Sequence, residues 1–178
     1  MQKRIIIILS LLLAIFLFIL YQGKMLDDRF TSFQSSNERG TVITAMPKIE
    51  FKYLDSDKYY DFFQTDKGKN SLFLHFWATW CGPCEAEFPK LSKLIQESKG
   101  QSITFVFVAV NDELPKIKKF LKRFPDLDAI IALDNDFIHQ KHFGTYKLPE
   151  TFLFDKTGKI IKKHTGAKNW ASEMLKSL

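Results

Sequence analysis

Cys81 and Cys84 are the only cysteines in the chain, and they stand three residues apart in the stretch HFWATWCGPCEAEFP, residues 75–89. Two thiols at that spacing on the first turn of a helix face the same side and can close a small disulfide ring. The elements around them fit this placement. SLFLHFW, just upstream, is a short continuous apolar run of the kind found in strands buried on both faces. Gly82 and Pro83 then turn the chain into a helix that carries Phe88, Leu91, Leu94 and Ile95 at helical spacing and stops at Gly100. A helix N-terminus offers partial positive charge and unpaired N–H groups, which stabilise a thiolate. Cys81, the outer thiol, is therefore the expected nucleophile, and Cys84 the residue that resolves a mixed disulfide by attacking the Cys81 sulfur. The alternative is an inert bridge, although closing so short a loop removes little chain entropy. One C-x-x-C lacks the second ligand pair of a structural zinc site. Two cysteines also cannot form the multi-bridge framework of a small secreted domain.

Two ionisable residues flank the pair. Glu87 lies three after Cys84 on the same helical face, and by spacing alone it reads as a surface glutamate paired with Lys90. His75, six before Cys81, can shuttle protons near neutral pH or serve as a core histidine with both ring nitrogens satisfied. His139 and His142 share a helical face, but nothing completes a ligand set around them, so no metal is expected. Trp80 is expected to shield the disulfide, and Trp77 to sit in the core. Pro89 cannot donate to the carbonyl of Glu85 and should kink its helix.

The remainder alternates strand and helix patterns. PKIEFKYL from Met46 alternates as a strand does, SITFVFVAV is the strongest strand signal, and ELPKIKKFLKRF carries Ile117, Phe120, Leu121 and Phe124 at helical spacing. DAIIALD, DNDFIHQKHFG, TFLFD and IIKKHTG read as strand, short helix, strand and second hairpin arm; NWASEMLKSL reads as a closing amphipathic helix with Asn169 as N-cap. This order predicts an α/β layered domain with a partly parallel sheet. Lysines spread along the chain account for the net charge of +6, and with no aromatic-interleaved basic patch the reading excludes nucleic acid as a partner.

At the N-terminus, Lys3 and Arg4 precede an apolar run from Ile5 to Leu20, which would span about 25 Å as a helix. No A-x-A-like cleavage site follows in YQGKMLDD, which favours an uncleaved anchor over a cleaved signal. The positive-inside rule leaves the basic end in the cytoplasm and exports the rest. The expected organisation is a transmembrane signal anchor over residues 1–21, a polar connector over 22–45 and one domain over 46–178.

The stretch FWATWCGPCEAEFP, with Glu87 and Pro89 after the second cysteine and LPETFLFD at 148–155, resembles the active site of thioredoxin-like thiol-disulfide oxidoreductases. The anchor makes the chain similar to their membrane-tethered TlpA/ResA-type branch, the cytochrome c maturation thioredoxin group. The resemblance covers roughly residues 46–178. It implies a thioredoxin-like fold with a central mixed β-sheet flanked by helices and a strand–helix insertion over about 128–143. It further implies a cis peptide before Pro149, which would hold Leu148 extended for pairing with a substrate segment, and a docking surface formed by Trp80, Gly82, Pro83, Leu148 and Pro149. The implied activity is extracytoplasmic exchange with disulfide-bearing or dithiol proteins, in the reducing direction, recharged by a membrane electron donor and without a cofactor. An oxidant or isomerase of exported proteins remains an alternative, as does a non-catalytic module on the same fold. The resemblance also implies that Glu87 assists proton transfer at the dithiol, whereas His75 departs from the family, which carries a buried aspartate or a neutral polar residue there.

Overall fold

The computed structural model describes residues 43–171 together with Phe18 and Leu175. Its centre is β3 (Ser71–Trp77), every residue of which is buried. Because side chains alternate along a strand, β3 directs Phe73, His75 and Trp77 to one face and Leu72, Leu74 and Phe76 to the other. Each set seeds its own hydrophobic cluster. The five-stranded sheet runs β5-β4-β3-β6-β7, with β4 (Ile103–Val110) and β5 (Ile130–Asp134) on one side of β3 and β6 (Glu150–Phe154) and β7 (Ile160–Thr165) on the other. β3, β4 and β5 pair in parallel, whereas β6 and β7 run antiparallel. This is the mixed sheet expected from the alternation of patterns.

One face of the sheet is covered by α2 (Gly82–Glu97) and α3 (Leu114–Leu121), through residues such as Phe88, Leu91, Ile117 and Phe120. The other carries α4 (Ile138–Phe143) and a small ribbon of β1 (Glu50–Lys52) paired with β2 (Tyr59–Asp61). The alternation read from Met46 onward thus shortens to three residues. Its partner arm, and the turn α1 (Phe62–Thr65) capped by the Asp61 carboxylate, were not foreseen. α2 continues through Pro89 as one helix. The Glu85 carbonyl that loses its partner lies on the exposed face, where water can serve it. β5 and α4 occupy the expected strand–helix insertion.

Pairing with the sheet begins at Thr44, whose carbonyl accepts from Ile160 N–H at 3.1 Å; Met46 N–H donates to the Gly158 carbonyl at 2.7 Å. Gly158 has φ +85, and a Cβ there would meet the Phe62 ring at 3.0 Å, so both backbone and space call for glycine. The expected anchor over 1–21, most of the connector over 22–45 and most of the closing helix lie outside the described residues. Among the described residues no helix is long and apolar enough to cross a membrane.

Phe88 ties α2 to the rest of this core, with ring centroids 4.6 Å from Trp77, 4.7 Å from Phe120, 5.1 Å from Phe124 and 5.6 Å from Phe107. Phe88→Ala should destabilise the oxidised protein by about 3–5 kcal/mol in urea unfolding; a loss below about 1 kcal/mol would contradict this packing.

Candidate active site

Cys81 is the N-cap of α2. It is extended (φ −93, ψ 99), and its sulfur accepts from Cys84 N–H at 3.3 Å, so the cap places a backbone donor on the sulfur. The two cysteines form a disulfide with Cα atoms 5.2 Å apart. Cys81 keeps 6% of its surface exposed and Cys84 none, which makes Cys81 the sulfur a partner can reach. The same donor that meets Cys81 in the disulfide would stabilise its thiolate after reduction.

A groove of about 470 Å³ opens beside Cys81. Trp80, Gly82, Pro83 and Leu148 all line it, as expected of docking residues, and Trp80 is 60% exposed. The Leu148–Pro149 peptide is cis, and the Pro149 carbonyl accepts from Gly166 N–H at 2.8 Å, which fixes the start of β6. Pro149 itself is buried and does not line the groove. Phe137 and Tyr146, which the sequence did not single out, form the opposite wall, and Tyr146 is 78% exposed. Only the fold, which brings the segments before and after α4 to the groove, reveals them.

Glu87 is buried and makes no ion pair with Lys90, so the surface reading of this residue is overturned: α2 turns it inward beneath β3. Its Oε2 accepts from the Lys168 N–H and the Trp170 indole N–H, both at 2.9 Å. Its Oε1 faces His75 Nε2 at 3.4 Å, and neither of these two atoms has another partner. His75 is fully buried on β3, with Nδ1 2.9 Å from the Thr151 hydroxyl, so only one ring nitrogen is satisfied in the manner of an ordinary core histidine. Burial pushes the Glu87 carboxyl above its usual range, against the opposing pull of the Lys168 and Trp170 donors. The same burial lowers the His75 pKa to about 3, which keeps the ring neutral. The pair is thus suited to hold one proton between two buried acceptor atoms.

Sequence reasoning passed over Thr151 and Trp170, which supply partners to His75 and Glu87, because they lie far along the chain. It also passed over Glu150, which is fully buried after the cis-proline and is held by the Thr165 hydroxyl at 2.6 Å and Lys163 Nζ at 3.0 Å. Both ring nitrogens of His139 have protein partners: Nδ1 lies 3.1 Å from Asp134 Oδ1 and Nε2 2.8 Å from the Glu50 carbonyl. No cluster that could hold a metal occurs among the described residues. Trp77 is core, as expected.

The family model described as Redoxin matches residues 41–178, a span that includes the disulfide, the cis-proline and the sheet between them. The chain belongs to the Redoxin family. Within it, this Redoxin is 35% identical to thiol-disulfide oxidoreductase ResA of Bacillus cereus over 92% of its own length and 86% of the relative's. It is 33% identical to ResA of Bacillus thuringiensis subsp. konkukian over 98% and 94%. Among solved structures, StoA from Bacillus subtilis superposes with a TM-score of 0.58 at 24% identity, covering 74% of this chain and 98% of that one. A thioredoxin-family thiol:disulfide interchange protein from Chlorobium tepidum gives 0.62 at 21%, covering 74% and 94%. The fold is thioredoxin-like, and the protein is a thiol-disulfide oxidoreductase that works through Cys81 and Cys84.

The buried pair makes stability depend on pH in two opposed ways. On unfolding, His75 regains its ordinary pKa of 6.5, so the stability linked to it is fully present above pH 6.5 and is lost as the pH falls towards 3. Glu87, with its folded pKa raised above 4.5, contributes stability that is present below 4.5 and is lost as the pH rises through the folded value. Between pH 7 and pH 5 the urea midpoint of the wild type should therefore fall more than that of His75→Asn; equal falls would show that His75 is not resisting protonation.

Proposed function

We propose that this Redoxin reduces protein disulfides outside the cytoplasm, tethered to the membrane by residues 1–21. The observation that carries the chemistry is the Cys81–Cys84 disulfide at the N-terminus of α2, with Cys81 opening onto the groove beside Leu148 and Pro149. In the dithiol form the Cys81 thiolate attacks one sulfur of the partner's disulfide. That bond breaks, a mixed disulfide forms, and the partner's other sulfur leaves as a thiolate. The Cys84 thiol then gives up its proton and attacks the Cys81 sulfur, which releases the partner's second thiolate and restores the Cys81–Cys84 bond. Two electrons have passed to the partner, and protons make up its two thiols.

Glu87, one helical turn beyond Cys84, is the group that takes the Cys84 proton. Burial raises its pKa and makes it a better proton acceptor than an ordinary carboxylate, and the neutral His75 ring behind it offers Nε2 to the protonated carboxyl as a hydrogen-bond acceptor. Trp80, Gly82, Pro83 and Leu148 dock the partner's extended segment, with Pro149 fixing the backbone on which it pairs.

The Gly-Pro between the cysteines supports the reducing direction. It matches thioredoxin, at about −270 mV, and not the strong oxidant DsbA, at about −120 mV. The apolar run behind Lys3 and Arg4 supports the anchor and the extracytoplasmic side. A reductant placed there needs recharging by a membrane electron carrier, and oxidised cysteines such as those of apocytochrome c are fitting clients.

Equilibration with glutathione should give a potential near that of thioredoxin; a value near that of DsbA would overturn the reducing direction. Glu87→Gln should slow insulin-disulfide reduction by about 10- to 100-fold and flatten its pH profile, as loss of a proton-transfer group does. An unchanged profile would remove Glu87 from the mechanism.

A further inference from the structure

Outside the dithiol and the buried pair, the strongest polar cluster centres on Asp112, which follows β4 and is 5% exposed. Its Oδ2 accepts from Thr79 N–H at 2.5 Å, and its Oδ1 accepts from the Thr79 hydroxyl at 2.9 Å and Glu113 N–H at 2.8 Å. Its backbone is bonded in both directions to one side chain: Asp112 N–H donates to Asn135 Oδ1 at 3.0 Å, and Asn135 Nδ2 donates to the Asp112 carbonyl at 3.2 Å. Next to it, Asn111 donates its N–H to the Asp134 carbonyl at 3.2 Å and accepts the Trp80 indole N–H at 2.9 Å. The Asp134 carboxylate in turn accepts from the N–H groups of His139 and Gln140 at the start of α4.

These bonds join the two walls of the groove. Thr79 and Trp80 lead into Cys81 on one side, and the loop from Asn135 to Phe137 leads into α4 on the other. Among the described residues the only non-glycine residues with positive φ are Asn111 (φ 47) and Phe137 (φ 56), and both line this groove. For a residue as bulky as Phe137 that conformation is costly and persists only where its surroundings impose it.

We infer that Asp112 is a positioning residue for partner recognition: it holds Trp80 and Phe137 at a fixed separation, so that the groove beside Cys81 is preformed for the polypeptide flanking the attacked disulfide. The inference rests on the oxidoreductase reading of that site. Preforming a surface lowers the ordering cost of binding, which benefits a partner that fills the groove more than one that touches only the sulfur. The carboxylate itself is needed, because an amide at the same place would turn its NH2 towards Thr79 N–H or Glu113 N–H, setting donor against donor.

The test compares two second-order rate constants for the reduced full-length protein, one with insulin and one with 5,5′-dithiobis(2-nitrobenzoate), a small disulfide that cannot span the groove. In Asp112→Asn and in Asn135→Ala, which loosens only the far side of the frame, the ratio of the insulin constant to the small-disulfide constant should fall by about tenfold. If the ratio is unchanged in either variant that retains its fold, whatever happens to the two rates separately, Asp112 is not setting the groove and the inference is overturned. Failure of the wild type to reduce either disulfide would instead remove the oxidoreductase reading beneath it.

Discussion

A strand buried on both faces leaves no position free for solvent, and the active site depends on how β3 meets that constraint. Phe73 and Trp77 pack under α2 and α3, while Leu72, Leu74 and Phe76 pack on the opposite layer. The strand must then end where its last side chains are still covered, and the chain turns into α2 at Cys81. The helix start that activates a thiol therefore stands at the end of a fully buried strand. Both α2 and β6 are positioned by this one strand, which fixes the spacing of the disulfide and the cis-proline.

The same strand carries the feature with the highest energetic stakes. An unpaired polar group in such a place is expensive, and a buried charge more so, unless partners surround it. His75 and Glu87 meet this in different ways. Lys168 and Trp170 satisfy one carboxylate oxygen and Thr151 one ring nitrogen, which leaves a single acceptor on each residue facing the other. A well-packed apolar pair would fill that volume at less cost. The cost of keeping this pair is what sets it apart from the apolar residues packed around it.

Much of this could be read in the amino-acid order, where the signal was local. The apolar run of β3, the glycine–proline turn and the helical spacing of Phe88, Leu91 and Leu94 mark the dithiol junction from residues within about two helical turns. TFLFD read as a strand from its own residues, whereas the cis bond before Pro149 followed from a motif resemblance alone. What could not be read depended on distant pairings. Glu87 resembles any exposed helix glutamate until Trp170 is brought over it, and Asp112 resembles a loop aspartate until Thr79 and Asn135 close around it. The β1–β2 ribbon was half seen because its second arm, Tyr59–Asp61, is too short to show a period.

The pairing of Thr44 and Met46 with the β6–β7 turn fixes where the polypeptide enters the sheet. β6 runs antiparallel to β3, with Glu150 opposite Phe76 near the cysteines and Phe154 opposite Leu72 at the other end, and the turn from Asp155 to Lys159 lies beyond Phe154. The domain thus has a doorway at one pole and a reaction surface at the other. Thr44 therefore joins the sheet at the end of β3 opposite the one from which the chain turns into Cys81.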